Sequence, residues 1–157
     1  MTTDDPACVP CQSENEQDAA VVFRDDLWAC EVVPGYDVPG WLVLRVRRHA
    51  LNIGGLSDPE LATYARRLRD VVGAVAEVTG APATYMLVFG EANPHFHSLI
   101  APRGHDVPPE ARLGRILDQR EHKIDRKASL ALVPQVAEAY ARRAAQTEPM
   151  LKLELGA

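Results

Sequence analysis

Short apolar runs alternate with turn formers in the first third of the chain. Residues 21–24 (VVFR) and 27–33 (LWACEVV) are separated by Asp25 and Asp26, a strand–turn–strand pattern. Residues 34–40 (PGYDVPG) are dense in Pro and Gly and read as a loop. Residues 41–46 (WLVLRV) are aliphatic with little polar alternation, as expected of a buried strand. A helix start follows at Ser57, which can cap, with Pro59 in the first turn and Glu60 placed to reach back to the cap. Leu61, Tyr64, Ala65, Leu68, Val72 and Val75 then share one helical face, and Gly80 and Pro82 end the helix near Thr79. Residues 84–89 (TYMLVF) and 95–101 (HFHSLIA) read as two further strands. The short connection 90–94 makes them an antiparallel hairpin. Beyond Pro102, residues 109–121 and 133–146 place apolar residues at helical spacing among Ala, Leu, Arg and Glu.

This order predicts an α+β fold: a mostly antiparallel sheet, one long helix and additional C-terminal helices. One domain is expected over residues 1–157, with 1–19 as an N-terminal segment and 104–157 as a helical extension. There is no internal repeat, no GxGxxG and no P-loop lysine motif, so the common nucleotide-binding folds are not supported.

Composition narrows the functional classes. Hydrophobic residues make up 46% and charged residues 25%, ordinary for a soluble globular chain. A formal charge of −5 argues against a DNA-binding surface, and 6% aromatics against a base-stacking platform, so no DNA or RNA polymer is expected as partner. The acidic start has neither a basic region nor an apolar run, so no secretory signal is visible. No stretch is apolar enough for a membrane span. Three cysteines do not make a disulfide framework and fit a reducing compartment, so a cytoplasmic location is expected.

Two clusters carry possible chemistry. His95 and His97 lie two apart on a predicted strand and so face the same way, in a row with Leu99. Spacing alone reads equally as a site or as a solvated strand face. Cys8 and Cys11 have the spacing of half a tetrahedral zinc site, which His49 and His95 would complete. A metal-free tail and a redox CxxC are the alternatives, the latter without the βαβ unit that normally follows. Cys30, on a strand, reads as core, and His105 and His122 as surface. Arg45, Arg47 and Arg48 bracket a strand end, where they could favour phosphate or simply be solvated.

Taken in order, CVPC (8–11), VPGWLVLRVRRHA (38–50) and PHFHSLIAPR (94–103) resemble the histidine triad (HIT) family of nucleotide hydrolases and transferases. Family motifs typically read PGHxLVIPKRH, and HxHxH followed by two apolar residues and PR. The resemblance implies a HIT-like fold and a homodimer. It implies that His97 is the nucleophile, attacking the α-phosphorus of a nucleotide phosphoramidate, ester or dinucleoside polyphosphate to form a covalent nucleotidyl-histidine. In the CxxC branch it implies a structural zinc on Cys8, Cys11, His49 and His95. Leu99 departs from the pattern, standing where the family has a third histidine, or glutamine in its transferase branch. Val33 departs too, standing where an Asp or Asn often holds the ribose. Glu31 is expected to substitute for that group, and Asn93 to touch phosphate. These departures leave a second reading, a catalytically weakened or inactive nucleotide- or phosphate-binding module with a structural zinc. A third is a zinc domain acting through a partner.

Overall fold

The computed structural model describes residues 6–15 and 18–154. Strands β1 (Val21–Arg24) and β2 (Trp28–Glu31) form an antiparallel hairpin. Its turn is held by Asp25, whose Oδ1 accepts from the N–H groups of Leu27 and Trp28 at 2.9 and 2.7 Å. Strand β3 (Leu42–Val46) continues the sheet antiparallel to β2. Helix α2 (Asp58–Thr79), numbered after a short N-terminal turn α1 (Val9–Gln12), then carries the chain to the far edge. There β4 (Ala83–Leu87) lies, and β5 (His97–Arg103) returns between β3 and β4. The sheet order is β1-β2-β3-β5-β4, every pairing antiparallel. This is the α+β architecture that the pattern predicts.

Both faces of the sheet are covered, which explains why β2 and β3 are apolar without clean alternation. One face carries Trp28, Cys30, Leu42, Leu44, Val46 and Ile100 against α2 and α4 (Arg126–Glu154). Trp28 is fully buried, and its indole N–H donates to Thr63 on α2 at 2.9 Å. Ser98 also faces this side and hydrogen-bonds Tyr64 of α2 at 2.6 Å. The other face carries Val43, Leu99 and Ala101 against Trp41, Val38, Val107 and Ile116. Gly40, in the turn two residues before β3, has φ 88°, and a Cβ there would lie 3.0 Å from the Thr79 methyl and 3.1 Å from Pro102. Only glycine fits that crossing without strain. Among the described residues no helix is long and apolar enough to cross a membrane.

Several element limits differ from the predicted ones. Strand β5 begins at His97, two residues after the expected start. Phe96 bonds Ala50 through its N–H at 2.6 Å, and its carbonyl accepts from Val46 N–H at 3.2 Å, so the ladder frays where His95 turns away. On α2, Tyr64, Leu68, Val72 and Val75 pack on the core as expected, but Leu61 and Ala65 are exposed while Val71 and Ala74 are fully buried. Residues 109–121 are not one helix but 3-10 turns at Pro109–Ala111 and Leu113–Gln119 running into α3 (Arg120–Lys123). Helix α4 starts before residue 133 because Asp125 caps it, Oδ1 accepting from Ala128 N–H at 2.9 Å. Pro134 therefore sits inside the helix, where it costs a hydrogen bond. Burial of Val133, Val136, Ala139 and Tyr140, the last stacked on Phe23 at 4.1 Å, offsets that loss.

The start of α2 is also an electrostatic clamp. Glu60 accepts from Ser57 N–H at 2.7 Å and from Arg48 at 2.7 and 3.1 Å, nearly closed off from water. Burial alone would raise its carboxyl pKa, but the bonds from Arg48 and Ser57 outweigh it and hold the group below its ordinary 4.5. The folded state therefore favours the ionised form. That stability is complete above the unfolded value and is lost as pH falls through the folded one. Urea unfolding between pH 7 and pH 3 should show Glu60→Gln less stable than wild type at pH 7, with the difference shrinking towards pH 3. A constant difference would contradict the clamp.

Candidate metal centre and adjoining cleft

Pro10 sits in the first turn of α1, where a missing N–H costs nothing, and the turn begins directly after Cys8. One helical turn separates Cys8 from Cys11, so both thiols face the frayed end of β3 and β5. His95 Nδ1 lies 3.4 Å from each sulfur, and His49 Nδ1 lies 3.4 Å from Cys11 Sγ. All four donor atoms fall within 4.8 Å of one another. Zinc–nitrogen and zinc–sulfur bonds of about 2.1 and 2.3 Å at the tetrahedral angle give S···N edges of about 3.6 Å. The donor set and its spacing therefore fit a four-coordinate zinc. The three cysteines form no disulfide.

His95 organises this corner. Its Nε2–H donates to the Val46 carbonyl at 2.6 Å, which leaves the Nδ1 lone pair for a metal. Burial lowers its pKa and keeps the ring neutral. Its own carbonyl accepts from His97 Nδ1 at 2.5 Å. A carbonyl can only accept, so Nδ1 of His97 carries a proton, and in the neutral ring the lone pair is on Nε2.

His97 is half-buried and lines a cleft of about 700 Å³, open solvent at its mouth included. The walls come from α1 (Val9, Pro10), the loop after β2 (Val33, Pro34, Tyr36), strand residues Val43, Leu87 and Leu99, and Phe89 and Leu117. Polar groups are few: Ser13, Tyr36, Asn93, Arg45 and His97 itself. Asn93 is thus at the cleft. Leu99 and Val33 are there as apolar wall.

Glu31 is not at the cleft. It is fully buried, and Arg45 Nε donates to its Oε1 at 2.6 Å while Arg24 approaches Oε2 at 3.5 Å. The expectation that it meets a ribose is corrected on this ground, since its carboxylate is already committed to guanidinium partners. Arg45 also donates to Glu14 at 2.8 Å, and Arg47 to both Glu14 oxygens at 3.1 and 3.2 Å. Burial tends to raise the Glu14 carboxyl, but Arg47 and Arg45 hold it below the usual range. Arg48 is taken up by Glu60. The strand-end arginines are thus ion-paired rather than merely solvated. Cys30 is sealed in the core, with its thiol pushed up by burial, and His105 and His122 are exposed.

Sequence reasoning left Arg45 open between a phosphate contact and a solvated charge, and did not place it at the cleft, which it lines. It is directly opposite His97 in the β3–β5 register, on the same face. The only available signal was a charge inside an otherwise apolar strand run.

No protein-family model matches the sequence, and no curated protein matches it. Solved structures do match. A hypothetical histidine triad nucleotide-binding protein of Sulfolobus tokodaii superposes with a TM-score of 0.64 at 20% identity, over 86% of this chain and 93% of that one. A Zn-bound histidine triad family protein of Mycobacterium smegmatis gives 0.63 at 16%, over 89% and 97%. The fold is that of the histidine triad proteins. A uridylyltransferase shares it too, with a TM-score of 0.62 at 16% identity over 86% of this chain and 45% of that one. Within the histidine triad fold, this chain closes its N-terminal segment onto the sheet through the Cys8–Cys11–His49–His95 cluster.

The Arg45 network is buried at its centre, so breaking it should be costly. Arg45→Met leaves Glu31 in the interior with only the longer Arg24 contact, and should destabilise the fold by about 3 kcal/mol. Arg47→Ala, at a more exposed pair, should cost about 1 kcal/mol or less. Urea denaturation at neutral pH measures both. Equal small effects would show that the network contributes little.

Proposed function

We propose that this chain binds a nucleotide in the cleft and transfers its nucleotidyl group through His97. The observation that supports this most is the held imidazole: Nδ1–H is fixed on the His95 carbonyl at 2.5 Å, and the ring lines the cleft, so that its neutral form carries the lone pair on Nε2. Such a ring is a competent nucleophile without a separate base. Nε2 attacks the α-phosphorus of a phosphoramidate, ester or dinucleoside polyphosphate. The bond to the leaving group breaks, and a nucleotidyl-His97 forms with its proton still on Nδ1. Water then attacks the phosphorus, the P–N bond breaks, and nucleoside monophosphate is released. The His95 carbonyl stabilises the positive charge that the ring acquires in between. Asn93 supplies a neutral amide for the phosphate.

Zinc on Cys8, Cys11, His49 and His95 would be structural. It would tie α1, which forms one cleft wall, to the residue that holds His97 in place. All four positions are taken by protein, which leaves none for substrate.

The second reading, a binding module without turnover, is favoured by Leu99 and Val33, which line the cleft without offering a hydrogen bond.

Two measurements test this reading. Rapid quench and intact-protein mass after mixing with the 4-nitrophenyl ester of AMP should show a covalent adenylyl adduct that His97→Asn lacks. Ligand-induced thermal stabilisation without adduct or product would favour the binding module, and neither effect would reject both. Metal analysis of protein purified without chelator should give one zinc per chain, lost in Cys8→Ser together with stability. Metal-free protein of unchanged stability would overturn the ligand set.

A further inference from the structure

A second cavity opens at the other end of the sheet face that carries His97, between the start of β3 and the end of β5. It measures about 960 Å³, open solvent at its mouth included, and among the described residues none lines both it and the His97 cleft. Val38, Pro39, Val107 and Ile116 give it apolar walls. The 3-10 segment Leu113–Gln119 forms one side. On a 3-10 helix, side chains three apart stand one above the other. Ile116 and Gln119 therefore face this cavity together, while Leu117 faces the cleft.

Two of its lining residues, Trp41 at 2% exposure and Gln119 at 7%, are more than nine-tenths buried yet carry polar groups. Among the described residues neither side chain makes a hydrogen bond, whereas the other indole, Trp28, is bonded to Thr63. The unbonded side-chain atoms that are shut off from solvent are all guanidinium nitrogens, so the Trp41 Nε1–H and the Gln119 amide open onto the cavity they line. Buried polar groups are nearly always bonded, and convergent unbonded ones in an apolar pocket point to a ligand.

Charge and hydrogen-bonding capacity narrow the ligand. Lys123 is paired with Asp106, and Asp125 also lines the cavity, its Oδ1 accepting from Ala128 N–H at 2.9 Å. Two carboxylates against one ammonium leave the lining one negative charge in excess, His122 apart, which opposes an anion. A cation would leave the Trp41 N–H unmet. The unbonded groups are two donors, Trp41 Nε1–H and the Gln119 NH₂, and one acceptor, the Gln119 carbonyl. A carboxamide or lactam complements them, with two lone pairs on its oxygen for the donors and an N–H for the acceptor. We infer that this cavity is a second ligand site, taking a small uncharged molecule with an apolar body and a carboxamide or lactam edge that Trp41 and Gln119 hold. Binding there is independent of the His97 reading.

The test is two-dimensional proton–nitrogen NMR of the full chain titrated with benzamide, set against benzoate and acetophenone, which share its ring and approximate size. The chain has two tryptophans, so the Trp28 indole, bonded to Thr63, is an internal control. Benzamide should shift the Trp41 indole signal and the Gln119 side-chain amide pair saturably and leave Trp28 in place. Benzoate, which is charged, and acetophenone, which lacks the N–H, should each bind at least tenfold more weakly. AMP should not displace benzamide. Gln119→Leu should weaken benzamide at least tenfold with the Trp28 signal unmoved. The comparison of three probes on wild type stands even where that variant does not fold. No saturable shift at Trp41, displacement by AMP, or either control binding as tightly as benzamide would overturn the inference.

Discussion

Three bonds converge on His95. Its Nε2–H is fixed on the end of β3 at Val46, its Nδ1 faces the two thiols of α1, and its carbonyl holds His97. The ring's tautomer is thereby decided by a carbonyl acceptor rather than by pH, and the same decision frees the nitrogen that the thiol cluster requires. The orientation of the His97 imidazole is thus transmitted through one residue from the packing of the N-terminal segment. If that segment loosened, two groups would lose their place together: the α1 wall of the cleft and the acceptor that holds Nδ1–H of His97.

The sheet is a divider between two kinds of chemistry. Its helix-covered face is a close-packed hydrophobic core in which even the polar side chains are internally satisfied, as with Ser98 on Tyr64 and Trp28 on Thr63. Its other face is apolar along Val43, Leu99 and Ala101 and then becomes charged at Arg45. The neighbouring carboxylates Glu14 and Glu31 make that charge tolerable in a buried position. A strongly apolar wall beside a fixed cation suits a ligand with a flat, poorly hydrated end and an anionic end, which is the general form of a nucleotide.

Much of this was legible in the sequence because it is local. The turn at Asp25, the helix start at Ser57 and Glu60, and the glycine stop at Gly80, which adopts φ 63°, each have their cause within a few residues. The thiol–imidazole cluster was legible because its donors are chemically unusual, even though they are scattered along the chain. Glu31 was misplaced because alternation fixes only which face a strand residue takes. It does not tell whether a guanidinium on the next strand will capture the carboxylate. Arg45 was left between two readings for the same reason, since its opposition to His97 is a matter of register between strands 52 residues apart. The last helix was expected only over 133–146, but the cap at Asp125 starts it earlier and the packing of Tyr140 carries it through Pro134.

The account depends on the place where a phosphorus centre would meet His97. A crystal structure of the zinc-bound chain with AMP tests that most directly. It should place the α-phosphate against His97 Nε2, with Arg45 and Asn93 at its oxygens and the base between the apolar walls. A nucleotide bound elsewhere, or His97 Nε2 turned onto the metal, would contradict it.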